Sequence, residues 1–171
     1  MPRADRCRRR KSICLMASGT YFGNCRNQPM AEIVAATMVL RRDGAALLQH
    51  RDDKPGLRSA GMWGLPGGHA ESGESMLDCA RRELREETDY DASDLRFLLS
   101  FDGADEDGTA YRVTYFWCRY DGIQSVACHE GQALAFVKRS TAANYPIPAY
   151  LIDVWDAALA AAGATTEKPH S

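Results

Sequence analysis

Three glutamates in one acidic run stand at a spacing that could place them at a single reaction centre. Glu83, Glu86 and Glu87 occupy positions i, i+3 and i+4, and these positions share one face of an α-helix. Like charges at this spacing repel each other, so the face needs solvent, arginine or a metal ion for compensation. Oxygen-only ligands favour Mg²⁺ or Mn²⁺ over zinc. The alternative is a solvated helix face, which is common for runs rich in Arg and Glu.

A glycine-containing loop precedes the acidic run and favours the metal interpretation. Its sequence from residue 67 to residue 74 is GGHAESGE. Gly67 and Gly68 carry no side chain, so the backbone can approach a ligand closely and offer N–H and carbonyl groups to a phosphate or a metal. The loop and the helix together would then surround one diphosphate group.

The two segments resemble the signature of the Nudix hydrolase family, G-x5-E-x7-R-E-U-x-E-E-x-G-U, in which U is a bulky apolar residue. The matching residues are Gly68, Glu74, Arg82, Glu83, Leu84, Glu86, Glu87 and, at the last position, Tyr90. Asp89 stands where the signature has its second glycine. That glycine would end the helix in a left-handed conformation, which Asp tolerates better than most residues. Residues 62–68 and 71–74 also resemble the MutT-type branch, and weaker similarity extends over residues 47–56 and 130–132.

The resemblance implies a fold, an activity and a cofactor. The expected fold is an α/β/α sandwich of the α+β class, with a mixed β-sheet between helices. The expected enzyme is a Nudix-type pyrophosphohydrolase that cleaves the diphosphate linkage of a nucleoside-diphosphate derivative. Two or three Mg²⁺ ions, with Mn²⁺ as an alternative, would bridge the carboxylates and the diphosphate, neutralise developing charge and acidify a bound water.

The resemblance also assigns roles to individual residues. The expected metal ligands are Glu83, Glu86, Glu87 and the carbonyl group of Gly68, and Glu83 could also orient or deprotonate the water. Arg82 joins the catalytic set because an ion pair with Glu74 would hold the loop and the helix in register. Glu130 is a candidate general base, since MutT-type relatives often supply another acid just before the corresponding strand. The alternative for Glu130 is a solvent-exposed loop acid.

Four residues are candidates for contact with the substrate. Gly67 and Gly68 offer backbone groups to the diphosphate. Arg51 follows the end of a strand and could contact a phosphate, or could form a surface ion pair with a neighbouring aspartate instead. Trp63 could stack on a base or could belong to the core. The lone histidines, His69 and His129, lack metal-ligand spacing and receive no role.

The apolar pattern predicts the elements that position these residues. Strands are predicted at 33–40, 45–50, 97–101, 111–120 and 134–137, with a hairpin turn at 41–44 and an acidic turn around 105–108. Residues 51–73 are rich in Gly and Pro and are predicted to form a long structured loop. Helices are predicted over 74–88 and 149–162, because apolar residues recur there at helical spacing.

The length of 171 residues allows one domain with a full core. We expect a basic, disordered segment at 1–29, a Nudix hydrolase domain at 30–163 and a C-terminal tail at 164–171. Residues 1–29 hold seven bases and one acid, although the whole chain has a net charge of −2. Such a cluster could bind nucleic acid or an anionic membrane. The alternatives are a disordered tail, or sequence upstream of the true start, because Met30 directly precedes the first regular element.

The rest of the chain is acidic, which argues against a broad nucleic-acid surface, and no apolar run approaches the roughly 18 residues of a membrane helix. We therefore expect neither nucleic acid nor a membrane as a partner. The resemblance implies a nucleotide-type small molecule as the partner, and a homodimer is left open. The six cysteines are scattered without zinc-ribbon spacing, so we interpret them as reduced thiols of a cytoplasmic protein. Cys79, one turn before Glu83, is interpreted as a packing residue.

The first substrates to test are nucleoside triphosphates and oxidised forms such as 8-oxo-dGTP, followed by nucleotide sugars and ADP-ribose. A function of a different class is a catalytically silent module of the same fold that binds a nucleotide and regulates a partner. Such modules usually lose signature carboxylates, and this chain keeps all of them. An isomerase on the same fold is a third alternative, but the sequence shows no extra active-site cysteine and acid in a recognisable setting.

Overall fold

The computed structural model describes residues 32–104 and 109–164 of the chain. The basic segment at 1–29, the acidic turn at 105–108 and the tail beyond Ala164 lie outside the described residues. The strands are β1 (Glu32–Leu40), β2 (Ala46–His50), β3 (Trp63–Gly64), β4 (Gly67–His69), β5 (Arg96–Ala104), β6 (Ala110–Arg119) and β7 (Ala133–Val137), and the helices are α1 (Met76–Thr88) and α2 (Ala149–Ala164).

The strands form one mixed sheet. Its main path has the order β3-β2-β1-β6-β5, and β4 pairs with β1 while β7 pairs with β2. Strands β1 and β6 are parallel over their whole length, and the other pairs are antiparallel. The predicted mixed sheet is therefore confirmed, with the acidic helix and the glycine loop both attached to its central strand.

The two helices pack on opposite faces of this sheet because side chains alternate along β1. Val39 faces the buried cluster that contains Leu84 of α1, whereas Met38 faces the cluster that contains Trp155 of α2. Burial of one such aliphatic side chain contributes roughly 2 kcal/mol. The expected sandwich is thus confirmed. Within the described residues, no helix is long and apolar enough to cross a membrane.

The structure differs from the sequence prediction mainly in the long loop. Residues 51–73 contain the short strands β3 and β4, which pair with β2 and β1. Strands of two and three residues are too short to show an alternating pattern, and glycine weakens the strand signal further. Helix α1 begins at Met76 rather than at residue 74, because the Ser75 side chain accepts a hydrogen bond from the Asp78 N–H and caps the helix. A 3₁₀ helix at Arg139–Asn144 was not predicted.

The end of α1 confirms the prediction made for Asp89. This residue has φ 61° and ψ 1°, which is the left-handed conformation. Its N–H donates to the carbonyl of Arg85 at 2.9 Å. Aspartate therefore closes the helix where the family signature has glycine, as its tolerance of this conformation predicts.

Candidate active site

The glycine loop runs along β4 and is held against the central strand. Gly67 and Gly68 pair with Ala36 and Ala35 of β1. Gly67 has φ +154°, and a Cβ atom built there would lie 2.2 Å from the carbonyl oxygen of Ala35. Because no side chain fits at that distance, backbone packing against β1 determines the path of the loop.

Glu83 of α1 lies directly against this loop. A Cβ atom on Gly68 would lie 2.5 Å from Cδ, 2.5 Å from Oε1 and 2.6 Å from Oε2 of Glu83. The absence of a side chain at Gly68 therefore makes the space that the Glu83 carboxylate occupies. The structure brings the acidic helix and the glycine loop together, as the sequence predicts.

Glu87 is the buried carboxylate of the site, with only 5% of the residue exposed. Its Oε2 accepts a hydrogen bond from the Gly67 N–H at 3.0 Å. Burial, followed by the negative charge of Glu130, raises the pKa of Glu87 to about 8, although the Gly67 hydrogen bond acts in the opposite direction. A carboxylate in this environment is destabilised in its ionised form, so a nearby cation would stabilise it.

Arg82 ties the loop to the helix. Its Nε and Nη2 atoms donate to the two carboxylate oxygens of Glu74, each at 2.9 Å, which confirms the ion pair predicted from the sequence. Nη1 donates to Glu83 at 2.8 Å and to Glu86 at 3.2 Å, and Nη2 also donates to the carbonyl of His69 at 3.1 Å. The hydrogen bond from Arg82 is the main reason that the pKa of Glu74 is lowered to about 2. Paired hydrogen bonds of this kind fix orientation as well as charge.

The donor set fits a hard divalent cation. Glu83, Glu86, Glu87 and the Gly68 carbonyl offer oxygen atoms only, which Mg²⁺ and Mn²⁺ prefer. Among the residues that the structure describes, no three metal-binding side chains converge on one point, and Arg82 holds both Glu83 and Glu86. The Glu86 side chain is 57% exposed, so it can turn from Arg82 toward a cation without disturbing the core. The ligands are present, but they are not already arranged around an ion.

Residues 127–132 bring Glu130 to the acidic helix. The buried side chain of Gln49 donates from Nε2 to the carbonyl of Glu130 at 2.8 Å. The backbone N–H of His129, next to Glu130, donates to the carbonyl of Glu87 at 3.0 Å, and the charge of Glu130 is the second-largest cause of the raised pKa of Glu87. The Glu130 residue is exposed. The structure therefore places the candidate base beside the metal-ligand candidates, on the solvent side.

Arg51 lines a cavity of about 200 Å³ beside Glu130. The other lining residues are Gln49, Asp52, Lys54, Leu57, Glu130 and Gly131. The Nε atom of Arg51 is buried and has no hydrogen-bond partner. Asp52 pairs with Lys54 instead, so the alternative of an ion pair between Arg51 and a neighbouring aspartate is not formed within the described part of the chain. A buried guanidinium nitrogen without an acceptor is a candidate contact for a substrate phosphate.

Trp63 and Cys79 have packing contacts. The Trp63 ring stacks on His50 with centroids 5.0 Å apart and an interplanar angle of 8°, and it meets the ring of Tyr145 edge-on at 5.4 Å. These contacts match the core interpretation of Trp63, and stacking on a base stays a prediction. Cys79 is fully buried, and burial is the main reason that its pKa is raised to about 11. This confirms its interpretation as a packing residue.

Two contacts of the site were missed from the sequence. Gln49 is a buried amide that directly follows the apolar residues of β2, and a polar residue at that position is a usable signal. The carboxylate of Asp89 lies 2.7 Å from Nε2 of His129. Forty positions separate these two residues, and no local pattern connects them.

Comparison with known proteins agrees with this geometry. A family model described as a NUDIX domain matches residues 30–158. The chain is 32% identical over 120 residues to a CTP pyrophosphohydrolase of Escherichia coli (strain K12), and the alignment covers 69% of this chain and 83% of that protein.

Solved structures share the fold. The MutT protein from Methanosarcina mazei Go1 matches with a TM-score of 0.63 and 20% identity, covering 80% of this chain and 96% of that chain. An Ap4A hydrolase from C. elegans, solved as a binary complex, matches with a TM-score of 0.65 and 19% identity, covering 78% of this chain and 99% of that chain. At this level of identity the likeness shows the arrangement of sheet and helices.

Proposed function

This chain belongs to the Nudix family and is a Nudix-type pyrophosphohydrolase, and we propose that it uses Mg²⁺ to cleave the diphosphate linkage of a nucleoside triphosphate. One observation carries the proposal: the carboxylates of Glu83 and Glu87 lie against the backbone of the neighbouring residues Gly68 and Gly67, where α1 faces β4. Nudix hydrolases generally use divalent metals. The identity of the metal as Mg²⁺ rests on the oxygen-only donor set.

Each residue has one task in the proposed reaction. Glu83, Glu86, Glu87 and the Gly68 carbonyl would hold the cation, which would supply neutralisation of phosphate charge and a more acidic water. Glu130 accepts the proton of the attacking water from the solvent side of the acidic helix. Arg82 keeps the loop and the helix in register through the contacts described above. Water attacks phosphorus, and a nucleoside monophosphate and a second phosphate product leave.

The substrate panel follows from the family and from one relative. The E. coli relative is named for its action on CTP, so CTP belongs at the head of the panel with the other nucleoside triphosphates. Their deoxy forms and 8-oxo-dGTP follow, and nucleotide sugars and ADP-ribose come next. All of these compounds contain the diphosphate linkage that the site would contact.

The proposed function is tested by measuring nucleotide and phosphate products across this panel with Mg²⁺ and with EDTA. We expect turnover with Mg²⁺ and none with EDTA. The Glu86→Gln variant should lose about a hundredfold in kcat, because a metal ligand contributes several kcal/mol of charge stabilisation in the transition state. Asp78→Asn, at the exposed start of α1, is the control and should retain activity.

The silent binding module is the competing function. It predicts that the wild-type protein binds nucleotide, with or without Mg²⁺, but releases no product from any member of the panel. The retained signature carboxylates favour the hydrolase. A folded wild-type protein without turnover on every diphosphate compound would replace the hydrolase by this module.

Arg51→Gln is expected to raise KM by about tenfold while changing kcat by less than about threefold, because one charge-assisted hydrogen bond to a phosphate is worth roughly 1.5–3 kcal/mol. Steady-state kinetics on the best panel substrate measures both constants. Arg112→Gln is the matched control, since this exposed arginine pairs with Asp102 and does not line the cavity, and its KM should stay within about twofold. The charge of Arg51 also acts to lower the pKa of Glu87, so a fall in kcat with unchanged KM would show that Arg51 acts on Glu87 and not on the substrate.

A further inference from the structure

The one departure from the family signature makes a contact across the candidate site. Asp89 stands in place of the signature glycine, and its Oδ2 lies 2.7 Å from Nε2 of His129. Because a carboxylate only accepts, the imidazole Nε2–H is the donor. His129 directly precedes Glu130. The substituted position is therefore connected to the segment that carries the candidate base.

That segment, residues 127–132, is held by hydrogen bonds on two sides, to the end of α1 and to the end of β2. On the helix side, the backbone N–H groups of Ala127 and His129 donate to the carbonyls of Thr88 and Glu87, each at 3.0 Å. These two carbonyls lie in the last turn of α1, immediately before Asp89. The hydrogen bond between Asp89 and His129 therefore adds to two backbone hydrogen bonds that already join the end of α1 to residues 127–132.

On the strand side, the same segment is fixed to the end of β2. Gln132 donates from its backbone N–H to the carbonyl of His50 at 2.7 Å. Gly131 has φ +75°, and a Cβ atom there would lie 2.4 Å from that same carbonyl oxygen. Glu130 thus lies between a fixed strand end and a helix end, and the Asp89–His129 pair is the only side-chain hydrogen bond from this segment to the helix end that the described residues show.

We propose that Asp89 and His129 are positioning residues that hold Glu130 toward Glu87. The proposal rests on the proposed role of Glu130 as proton acceptor. In this chain the aspartate then has two functions: its backbone closes α1, and its carboxylate fastens the base-bearing segment. Glycine at this position performs the first function only.

The two functions can be separated by substitution. Asp89→Gly keeps the left-handed conformation, which glycine adopts without penalty, and removes the carboxylate. Asp89→Asn keeps both the tolerance of this conformation and an oxygen that accepts from the imidazole. A purely structural role predicts that Asp89→Gly is harmless. The positioning role predicts a catalytic defect in a protein that is as stable as the wild type.

We expect Asp89→Gly to lower kcat by about two- to fivefold with unchanged KM, because one exposed side-chain hydrogen bond biases the position of a segment only modestly. Asp89→Asn should restore most of kcat. Asp94→Ala is the matched control: Asp94 is as exposed as Asp89, with side-chain exposures of 58% and 59%, and its partner is Arg96, away from the segment. Its kcat should equal that of the wild type.

A double-mutant cycle with Glu130→Gln tests whether the pair acts through Glu130. If it does, Asp89→Gly should change kcat by less than about 1.5-fold in the Glu130→Gln background. An equal loss in both backgrounds would overturn the proposal. A Glu130→Gln variant with wild-type kcat would also overturn the proposal. Metal-dependent hydrolysis would then not need Glu130, and the Asp89–His129 pair would have no catalytic group to position.

Hydrogen exchange provides a readout that does not depend on activity. Asp89→Gly should speed exchange of the Ala127 and His129 amides and leave the Gln132 amide, which bonds to β2, unchanged. Unchanged exchange at both helix-side amides would overturn the proposal even in an active enzyme. If the wild type hydrolyses no nucleotide, the proposed function fails, and faster exchange would still show that the pair fastens the segment.

Discussion

Replacing Glu87 with glutamine is expected to lower kcat by about a thousandfold and, at neutral pH, to raise the free energy of unfolding of the metal-free protein by about 1–3 kcal/mol. The catalytic loss follows because the variant cannot neutralise a cation at the centre of the site. The gain in stability follows because Glu87 is buried near Glu83 and Glu130, whose charges, with burial, raise its pKa to about 8. Glutamine is neutral in both the folded and the unfolded state, so it avoids the cost of protonating or burying this carboxylate, and it keeps an oxygen for the Gly67 N–H.

Two measurements check this prediction. Steady-state turnover with saturating Mg²⁺ gives kcat, and thermal or urea unfolding in EDTA gives the stability of the metal-free protein. Glu86→Gln is the comparison variant, because Glu86 is exposed and already paired with Arg82. It should lose activity without gaining stability. A destabilised Glu87→Gln protein in EDTA would mean that the ionised side chain supports the fold, contrary to its assigned role.

The opposite effects on activity and stability are typical of a binding site for a cation. When a protein holds several carboxylates close together in a partly buried site, their burial and mutual repulsion lower its free energy of unfolding unless a bound cation compensates the charge. Bound Mg²⁺ should therefore stabilise the wild type more than Glu87→Gln. This difference distinguishes a built metal site from an acidic surface, where glutamine substitution changes stability little in either condition.

Most of the fold could be predicted from the sequence because its long elements have clear periods. The strand at 33–40, the acidic helix and the C-terminal helix all match elements of the structure. The spacing of Glu83, Glu86 and Glu87, together with the glycine loop, was enough to locate the candidate site. Local periodicity and spacing are properties of short stretches, so a single sequence shows them directly.

The remaining features depend on contacts between distant parts of the chain. The short strands β3 and β4 exist because β2 and β1 offer them hydrogen bonds, not because of their own residues. The cavity beside Arg51 is lined by residues from the segments 49–57 and 130–131. These two segments come together only once the sheet has formed. The Asp89–His129 contact arises in the same way. No short stretch of sequence indicates which distant residues come into contact, so a single sequence does not predict these features.

The glycines of the loop show how one dipeptide can serve both fold and chemistry, and two substitutions separate these roles. Gly67→Ala is expected to destabilise the protein by about 3 kcal/mol or more, because its Cβ would strike the backbone of Ala35 at 2.2 Å and the φ of +154° disfavours any side chain. Chemical unfolding in EDTA measures the loss. The matched variant is Gly68→Ala, whose φ lies outside the left-handed region.

Gly68→Ala should instead fold nearly normally and lose about a hundredfold in kcat, because a displaced catalytic group costs activity far more than stability. The three atoms nearest to its Cβ belong to the far end of the Glu83 side chain, which can move aside, but the carboxylate then leaves the place where loop and helix meet. The two variants therefore separate the roles of the two glycines. Gly67 is needed for the pairing of β4 with β1, and Gly68 is needed for the position of Glu83. If Gly68→Ala retained full activity in Mg²⁺, the contact between Gly68 and Glu83 would have no part in catalysis, and the metal site would have to lie nearer Glu87 and Glu130.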